Sequence, residues 1–140
     1  MKPLLHNNFN GLQHIGIPVT DIAVSQAFYH RFGFASIMQR QVDATEGRVS
    51  AVMMRRAGVV LELYQLPAEQ LAAIRQRTDG VIDHIAFAVD DIDRAWSELQ
   101  AAGETLLEAA PVHLDFWRSG CRYFAIRGPD GEKLEFNQIL

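Results

Sequence analysis

Leu12-Gln13-His14-Ile15-Gly16-Ile17-Pro18-Val19-Thr20-Asp21-Ile22 and Ile82-Asp83-His84-Ile85-Ala86-Phe87-Ala88-Val89-Asp90-Asp91-Ile92 lie over one another at an offset of 70, without a gap. The register runs on to Gly33 over Gly103, and six of the 22 pairs are identical: His14/His84, Ile15/Ile85, Val19/Val89, Asp21/Asp91, Ile22/Ile92 and Gly33/Gly103. A second match closes each half. Gly58-Val59-Val60-Leu61-Glu62-Leu63-Tyr64-Gln65 lies over Gly131-Glu132-Lys133-Leu134-Glu135-Phe136-Asn137-Gln138 at an offset of 73. The chain therefore reads as two copies of one supersecondary unit, each opening on a strand with His and closing on a strand with Glu.

Within a unit the order is strand, helix and three strands. The first copy predicts a strand over 12–18, a helix over 21–32 with Thr20 or Asp21 as N-cap and Gly33 at its stop, then strands near 34–41, 48–56 and 59–65. The second predicts a strand over 82–89, a helix over 91–102, then strands near 104–108, 120–127 and 133–138. Ile92, Ala95, Trp96 and Leu99 form one apolar helical stripe. A polar linker, 66–80, joins the halves. The fold class expected is α+β, two tandem βαβββ modules with helices on one face of curved sheets. Module one spans about 10–66 and module two about 81–140 of a single domain, 1–140.

Composition agrees with one globular domain. The 140 residues are 49% apolar and 21% charged, and a chain of this length buries roughly two thirds of its unfolded surface without needing a staple. A lone cysteine, Cys121, excludes an internal disulfide and any CxxC site. The formal charge of −4 and the lack of a basic run argue against nucleic-acid binding. No leader and no stretch of membrane-spanning length is visible, so cytoplasm is the expected location.

Strand parity singles out the chemistry. Side chains alternate between faces, so Ile15, Ile17 and Val19 oppose His14, Gly16 and Pro18. Likewise Ile85, Phe87 and Val89 oppose His84, Ala86 and Ala88. In the closing strands Leu61 and Leu63 oppose Glu62 and Tyr64, and Leu134 and Phe136 oppose Glu135 and Asn137. The bulky sets belong against the helices. The other face carries His14, Glu62, His84 and Glu135 beside small residues that leave room for a cavity. Taken singly, each is an ordinary polar residue on a solvated strand. Together, at matched positions and matched parity, they form a ligand set for a divalent metal such as Zn²⁺, Ni²⁺, Co²⁺, Fe²⁺ or Mn²⁺. Two carboxylates balance the charge of the ion.

At these residues the sequence resembles the vicinal oxygen chelate superfamily, which includes glyoxalase I and methylmalonyl-CoA epimerase. The resemblance is carried by Leu12–Ile22, Phe28-Tyr29, Phe32-Gly33-Phe34, Leu61-Glu62-Leu63, Ile82–Ile92 and Gly128-Pro129-Asp130-Gly131-Glu132-Lys133-Leu134-Glu135-Phe136. The last is similar to the family's DPDG-x-x-(I/L)-E-(F/L) ending, with Gly128 where Asp is common. It implies an eight-stranded cup around one divalent metal per site (Ni, Zn, Co or Mn), with His14, Glu62, His84 and Glu135 as ligands, and a homodimer. The complete four-residue set points to the glyoxalase and epimerase branch, and Glu rather than Gln at 62 leans toward glyoxalase I.

The reaction implied is proton transfer beside a carbonyl through a metal-bound enediolate, a lyase or isomerase chemistry. Glu135 is the first candidate base and Glu62 the second. An epimerase of a 2-substituted acyl thioester or keto compound, a non-haem iron dioxygenase using His14, His84 and Glu135, and a non-catalytic small-molecule binding protein are the rival readings. Tyr64, Trp117 and Arg118 are the candidate substrate contacts, the last two on an aromatic and charged loop, 113–120, that reads as a lid. Tyr123 reads as strand packing, Cys121 as inert packing, Met53-Met54 as core and pocket filler, Arg48, Arg55 and Arg122 as surface cations, and His6 and His30 as solvated.

Overall fold

A computed structural model describes Leu4 and residues 12–80 and 82–140 of the chain. His6 lies outside the described residues. The element order is β1 (Ile15–Pro18), α1 (Ile22–Arg31), β2 (Ala35–Ala44), β3 (Gly47–Arg56), β4 (Val59–Gln65), α2 (Leu71–Arg75), β5 (Ile85–Ala88), α3 (Ile92–Ala101), β6 (Val112–Leu114), β7 (Cys121–Arg127) and β8 (Lys133–Ile139). The chain divides into two compact units, one ending at Leu71 and the other beginning at Ala72. Each is a four-stranded mixed sheet with its own helix, in the order β1-β4-β3-β2 and β5-β8-β7-β6. The fold is α+β, built from two βαβββ modules.

The repeat is visible in local chemistry. Asp21 and Asp91 are both extended N-caps: the Asp21 carboxylate accepts from the amides of Ala23 and Val24, and that of Asp91 from Arg94. The first helical amide of each unit is taken by a glutamine of the closing strand. Ile22 N donates to Gln65 Oε1 at 2.8 Å, and Ile92 N donates to Gln138 Oε1 at 3.0 Å. Gly33 and Gly103 end the two helices at φ of +75° and +80°, the left-handed region that a Cβ disfavours.

In both units the opening strand runs parallel to the closing strand, with Gly16 opposite Glu62 and Ala86 opposite Glu135. The alternation expected from sequence holds. Leu61, Leu63, Val52, Met54 and Val19 pack with Phe28 and Tyr29 of α1 in the core of unit one. Leu134, Phe136, Phe124 and Ile126 pack with Ile92 of α3 in unit two, where the Phe124 and Phe136 rings stack at 5.3 Å. The Trp96 stripe of α3 is half-buried along one side. Arg122 belongs to this helix side: its guanidinium makes a bidentate pair with Asp93 of α3, at 2.6 and 2.8 Å.

Two expectations are corrected. Residues 104–108 form no ladder. Leu106 makes an isolated bridge to Ile126, Leu107 N donates to Ala125 O, and the Glu108 carboxylate itself accepts from Ala125 N at 2.7 Å. A side chain thus takes the place of a strand neighbour, and the edge strand forms later, at Val112–Leu114. The linker is also partly helical. A 3₁₀ turn over Ala68–Gln70 follows Pro67 and runs into α2, burying Leu71.

Candidate functional site

Each unit presents one His and one Glu from neighbouring parallel strands on the face away from its helix. In unit one His14 immediately precedes β1 and Glu62 lies mid-β4. His14 Nε2 is 3.2 Å from Glu62 Oε2. In unit two His84 immediately precedes β5 and Glu135 lies mid-β8. His84 Nε2 is 3.3 Å from Glu135 Oε2. Gly16 and Ala86 keep the adjoining strand open. A Cβ at Gly16 would already touch Tyr64 Cε1 at 3.5 Å and Glu62 Oε2 at 3.6 Å.

These spacings can be compared with those of metal ligands. Ligands about 2.1 Å from one ion stand about 3.0 Å apart along an octahedral edge and about 3.4 Å apart along a tetrahedral one. The 3.2 and 3.3 Å separations fall between these values, and are long for a charge-assisted hydrogen bond, typically about 2.7–2.9 Å. Imidazole nitrogen and carboxylate oxygen are the donors that zinc, nickel, cobalt and manganese accept. The residues present therefore fit a divalent metal. Among the described residues, His, Cys, Asp and Glu do not gather in groups of three or more around one point.

Unit two carries a cavity of about 800 Å³ on this face, walled by β5, β7 and β8 and by the loop before β7. His84 and Glu135 line it, as do the apolar and aromatic side chains of Trp117, Phe116, Tyr123 and Leu114. Trp117 is 69% exposed and holds φ at +63°, a strained conformation for a bulky residue. Of the substrate candidates, Trp117 therefore reaches the cavity, while Arg118 is exposed and outside its wall. Tyr64 stands beside Glu62 in unit one, in register with Pro18. Tyr123, expected to be strand packing, is a wall residue instead. It shares a face with Ala125 and lies opposite Asn137 on β8.

Sequence reasoning missed the groups that hold the His–Glu pair of unit two. Asn137 Nδ2 donates to Glu135 Oε1 at 2.8 Å, leaving Oε2 toward His84. Asp83 Oδ2 lies 2.8 Å from His84 Nδ1 and accepts from Lys133 Nζ at 2.7 Å. Lys133 also reaches Asp79 Oδ2 at 3.4 Å, and Asp79 pairs with Arg127. Hydrogen bonds from Lys133 and then His84 hold the Asp83 carboxyl below its ordinary range, and the Arg127 hydrogen bond does the same for Asp79. The repeat contained a signal for Asn137, since it shares parity with Glu135. Asp83 stands at the equivalent of Gln13, whose Oε1 meets His14 Nδ1.

The remaining candidates are structural. Cys121 is buried, with Asn137 Nδ2 3.9 Å from its Sγ. Met54 is core, and Met53 points to the opposite face in register with Glu62. Arg48 pairs with Asp43 on an exposed hairpin, and Arg55 and His30 are exposed. Among the described residues no helix is long and apolar enough to cross a membrane.

Known proteins agree with this architecture. YwkD of Bacillus subtilis (strain 168) is 30% identical over 125 residues, covering 89% of this chain and 93% of its own. A glyoxylase/bleomycin resistance protein/dioxygenase domain from Frankia sp. EAN1pec superposes with a TM-score of 0.73 at 18% identity, covering 93% and 98% of the two chains. The fosfomycin resistance protein FosX from Listeria monocytogenes, complexed with Mn(II) and sulfate ion, gives 0.66 at 20% identity, covering 94% of each chain. The family model matches residues 11–136, nearly the whole chain, and the doubled βαβββ module agrees with it, so the chain belongs to the Glyoxalase/Bleomycin resistance protein/Dioxygenase superfamily.

Proposed function

We propose that this protein is a metal-dependent lyase or isomerase of the glyoxalase I type, moving a proton at a carbon beside a carbonyl. One observation carries the reading: a His–Glu pair recurs at matched positions in both units, on the helix-free face, at ligand-like spacing. In this proposal His14, Glu62, His84 and Glu135 are the ligands of a divalent ion, nickel, zinc, cobalt or manganese. The Mn(II) in FosX, a structural neighbour, supports a first-row divalent ion. When bound, such an ion supplies Lewis-acid polarisation of a substrate oxygen.

The chain's own residues do the rest. Glu135 is the first candidate base. Asn137 holds its Oε1, and its side chain is only 15% exposed, so the other oxygen is positioned to take a proton from a substrate carbon and return it to the same or the neighbouring carbon. Glu62 is the second candidate. Trp117 and Tyr123 line the cavity with aromatic surface, which suits an uncharged portion of a small-molecule substrate. A homodimer and a cytoplasmic location belong to the same proposal.

The test is turnover of the methylglyoxal–glutathione hemithioacetal by protein loaded in turn with Ni²⁺, Co²⁺, Zn²⁺ or Mn²⁺. Turnover that disappears in Glu135→Gln supports the lyase reading. Stoichiometric metal without turnover overturns it in favour of epimerisation of an acyl thioester or keto compound.

A further inference from the structure

A histidine ligand has two ring nitrogens, and the one that faces away from the ion decides which one can bind it. The repeat places an acceptor against that second nitrogen in both units. Gln13 Oε1 meets His14 Nδ1, and Asp83 Oδ2 lies 2.8 Å from His84 Nδ1. Gln13 and Asp83 are equivalent positions, but one is a neutral amide and the other a carboxylate. The carboxylate is itself anchored: Lys133, at the start of β8, donates to the same Oδ2 at 2.7 Å. Lys133 is only 22% exposed and is steadied in turn by Asp79 at 3.4 Å, which pairs with Arg127 at the end of β7. A line of alternating charge thus runs from the closing hairpin of unit two to the back of the His84 ring.

We propose that Asp83 is a positioning residue for the metal centre, holding His84 as the Nδ1–H tautomer so that the Nε2 lone pair is presented beside Glu135. This rests on the ligand assignment proposed above. A carboxylate only accepts, and two carboxylates face the ring: Asp83 Oδ2 at 2.8 Å from Nδ1, a normal hydrogen-bond length, and Glu135 Oε2 at 3.3 Å from Nε2, longer than one. The shorter contact assigns the proton to Nδ1 and leaves the lone pair on Nε2, beside Glu135. Lys133 keeps Asp83 in place through its hydrogen bond to Oδ2. The arrangement is a carboxylate–histidine arm of the kind that orients metal-bound imidazoles, and losing such a partner typically weakens metal affinity by about 10–100-fold.

The test uses the purified full-length protein and Co²⁺ or Mn²⁺ alone, with affinity measured by competition against a chromophoric chelator. Asp83→Ala is expected to weaken binding by about 10–100-fold. Asp83→Asn keeps an acceptor oxygen against Nδ1 and is expected to recover most of that loss. A second readout is independent of metal. Long-range ¹H–¹⁵N correlations of the metal-free protein should show His84 protonated at Nδ1 in the parent and Asp83→Asn, and moved toward Nε2 in Asp83→Ala. A structural role for Asp83 would not produce that change. Asp83→Ala with unchanged affinity and tautomer, while His84→Ala abolishes binding, overturns the proposal and spares the ligand assignment. Binding that survives His84→Ala overturns the assignment itself, and the role of Asp83 with it.

Discussion

Leu134 and Glu135 are neighbours in β8 with opposite duties, and separating them tests the parity on which the site depends. Leu134 is 1% exposed among Phe124, Ile126 and Phe136 on the helix side, whereas Glu135 faces the cavity. Leu134→Ala deletes three carbons from a closed core. At about 0.8 kcal/mol for each buried carbon, plus a cavity that a stacked aromatic neighbour fills poorly, the loss is about 3 kcal/mol, inside the 2–5 kcal/mol range for such truncations. For a urea m-value of about 2 kcal/mol/M this moves the unfolding midpoint down by about 1.5 M. Glu135→Gln keeps shape and a hydrogen bond from Asn137, so its midpoint stays within about 0.25 M, corresponding to about 0.5 kcal/mol. Metal uptake should behave in the opposite way, retained in folded Leu134→Ala at low urea and strongly weakened in Glu135→Gln. A destabilised Glu135→Gln that still binds metal, or a Leu134→Ala with an unchanged midpoint, would refute the alternation.

Further outcomes follow from particular residues. Gly120→Ala places a Cβ 2.6 Å from His113 Cε1 at a φ of +90°, so it should destabilise by about 1–3 kcal/mol in the same urea assay. Trp117→Gly relieves a positive φ and removes an exposed indole, so stability should hold while the KM of any turned-over substrate rises. Asp91→Ala removes the N-cap of α3 and should cost about 1 kcal/mol. The Arg122 hydrogen bond holds the Asp93 carboxyl below its ordinary 3.8. Its contribution is thus fully present above that value and lost only as pH falls through the lower folded one. A carboxyl ¹³C titration should give a midpoint below 3.8 that returns toward it in Arg122→Ala, and the pair should be unchanged between pH 5 and 8.

What the sequence disclosed, it disclosed through period and repetition. Alternation within the opening and closing strands put His14 and Glu62 on the helix-free face of one unit, and His84 and Glu135 on that of the other, without any knowledge of strand order, because parity depends only on counting residues. The sequence left Thr20 and Asp21 both open as the first N-cap; the structure takes Asp21, with Asp91 as its counterpart, and adds the Gln65 and Gln138 side chains, a matched pair that local pattern did not single out as caps. What stayed hidden depended on side chains reaching across the chain. No local pattern says that Glu108 will accept from Ala125 N and stand in for a strand at 104–108. Nor does one say that Lys133, at the start of β8, will anchor Asp83, fifty positions earlier. Tyr123 was misread because its strand faces a cavity on one side, where a large side chain forms a wall and needs no buried partner. Leu71 lay in a stretch whose polar average hid one short amphipathic turn.

The central proposal is that His14, Glu62, His84 and Glu135 are all metal ligands. Purified protein should be titrated with Co²⁺ or Ni²⁺ and the bound metal counted for the parent and for His14→Ala, Glu62→Ala, His84→Ala and Glu135→Ala. One ion per chain in the parent, with stoichiometric binding lost in all four variants, is the result predicted. An ion retained when either histidine is removed would contradict it.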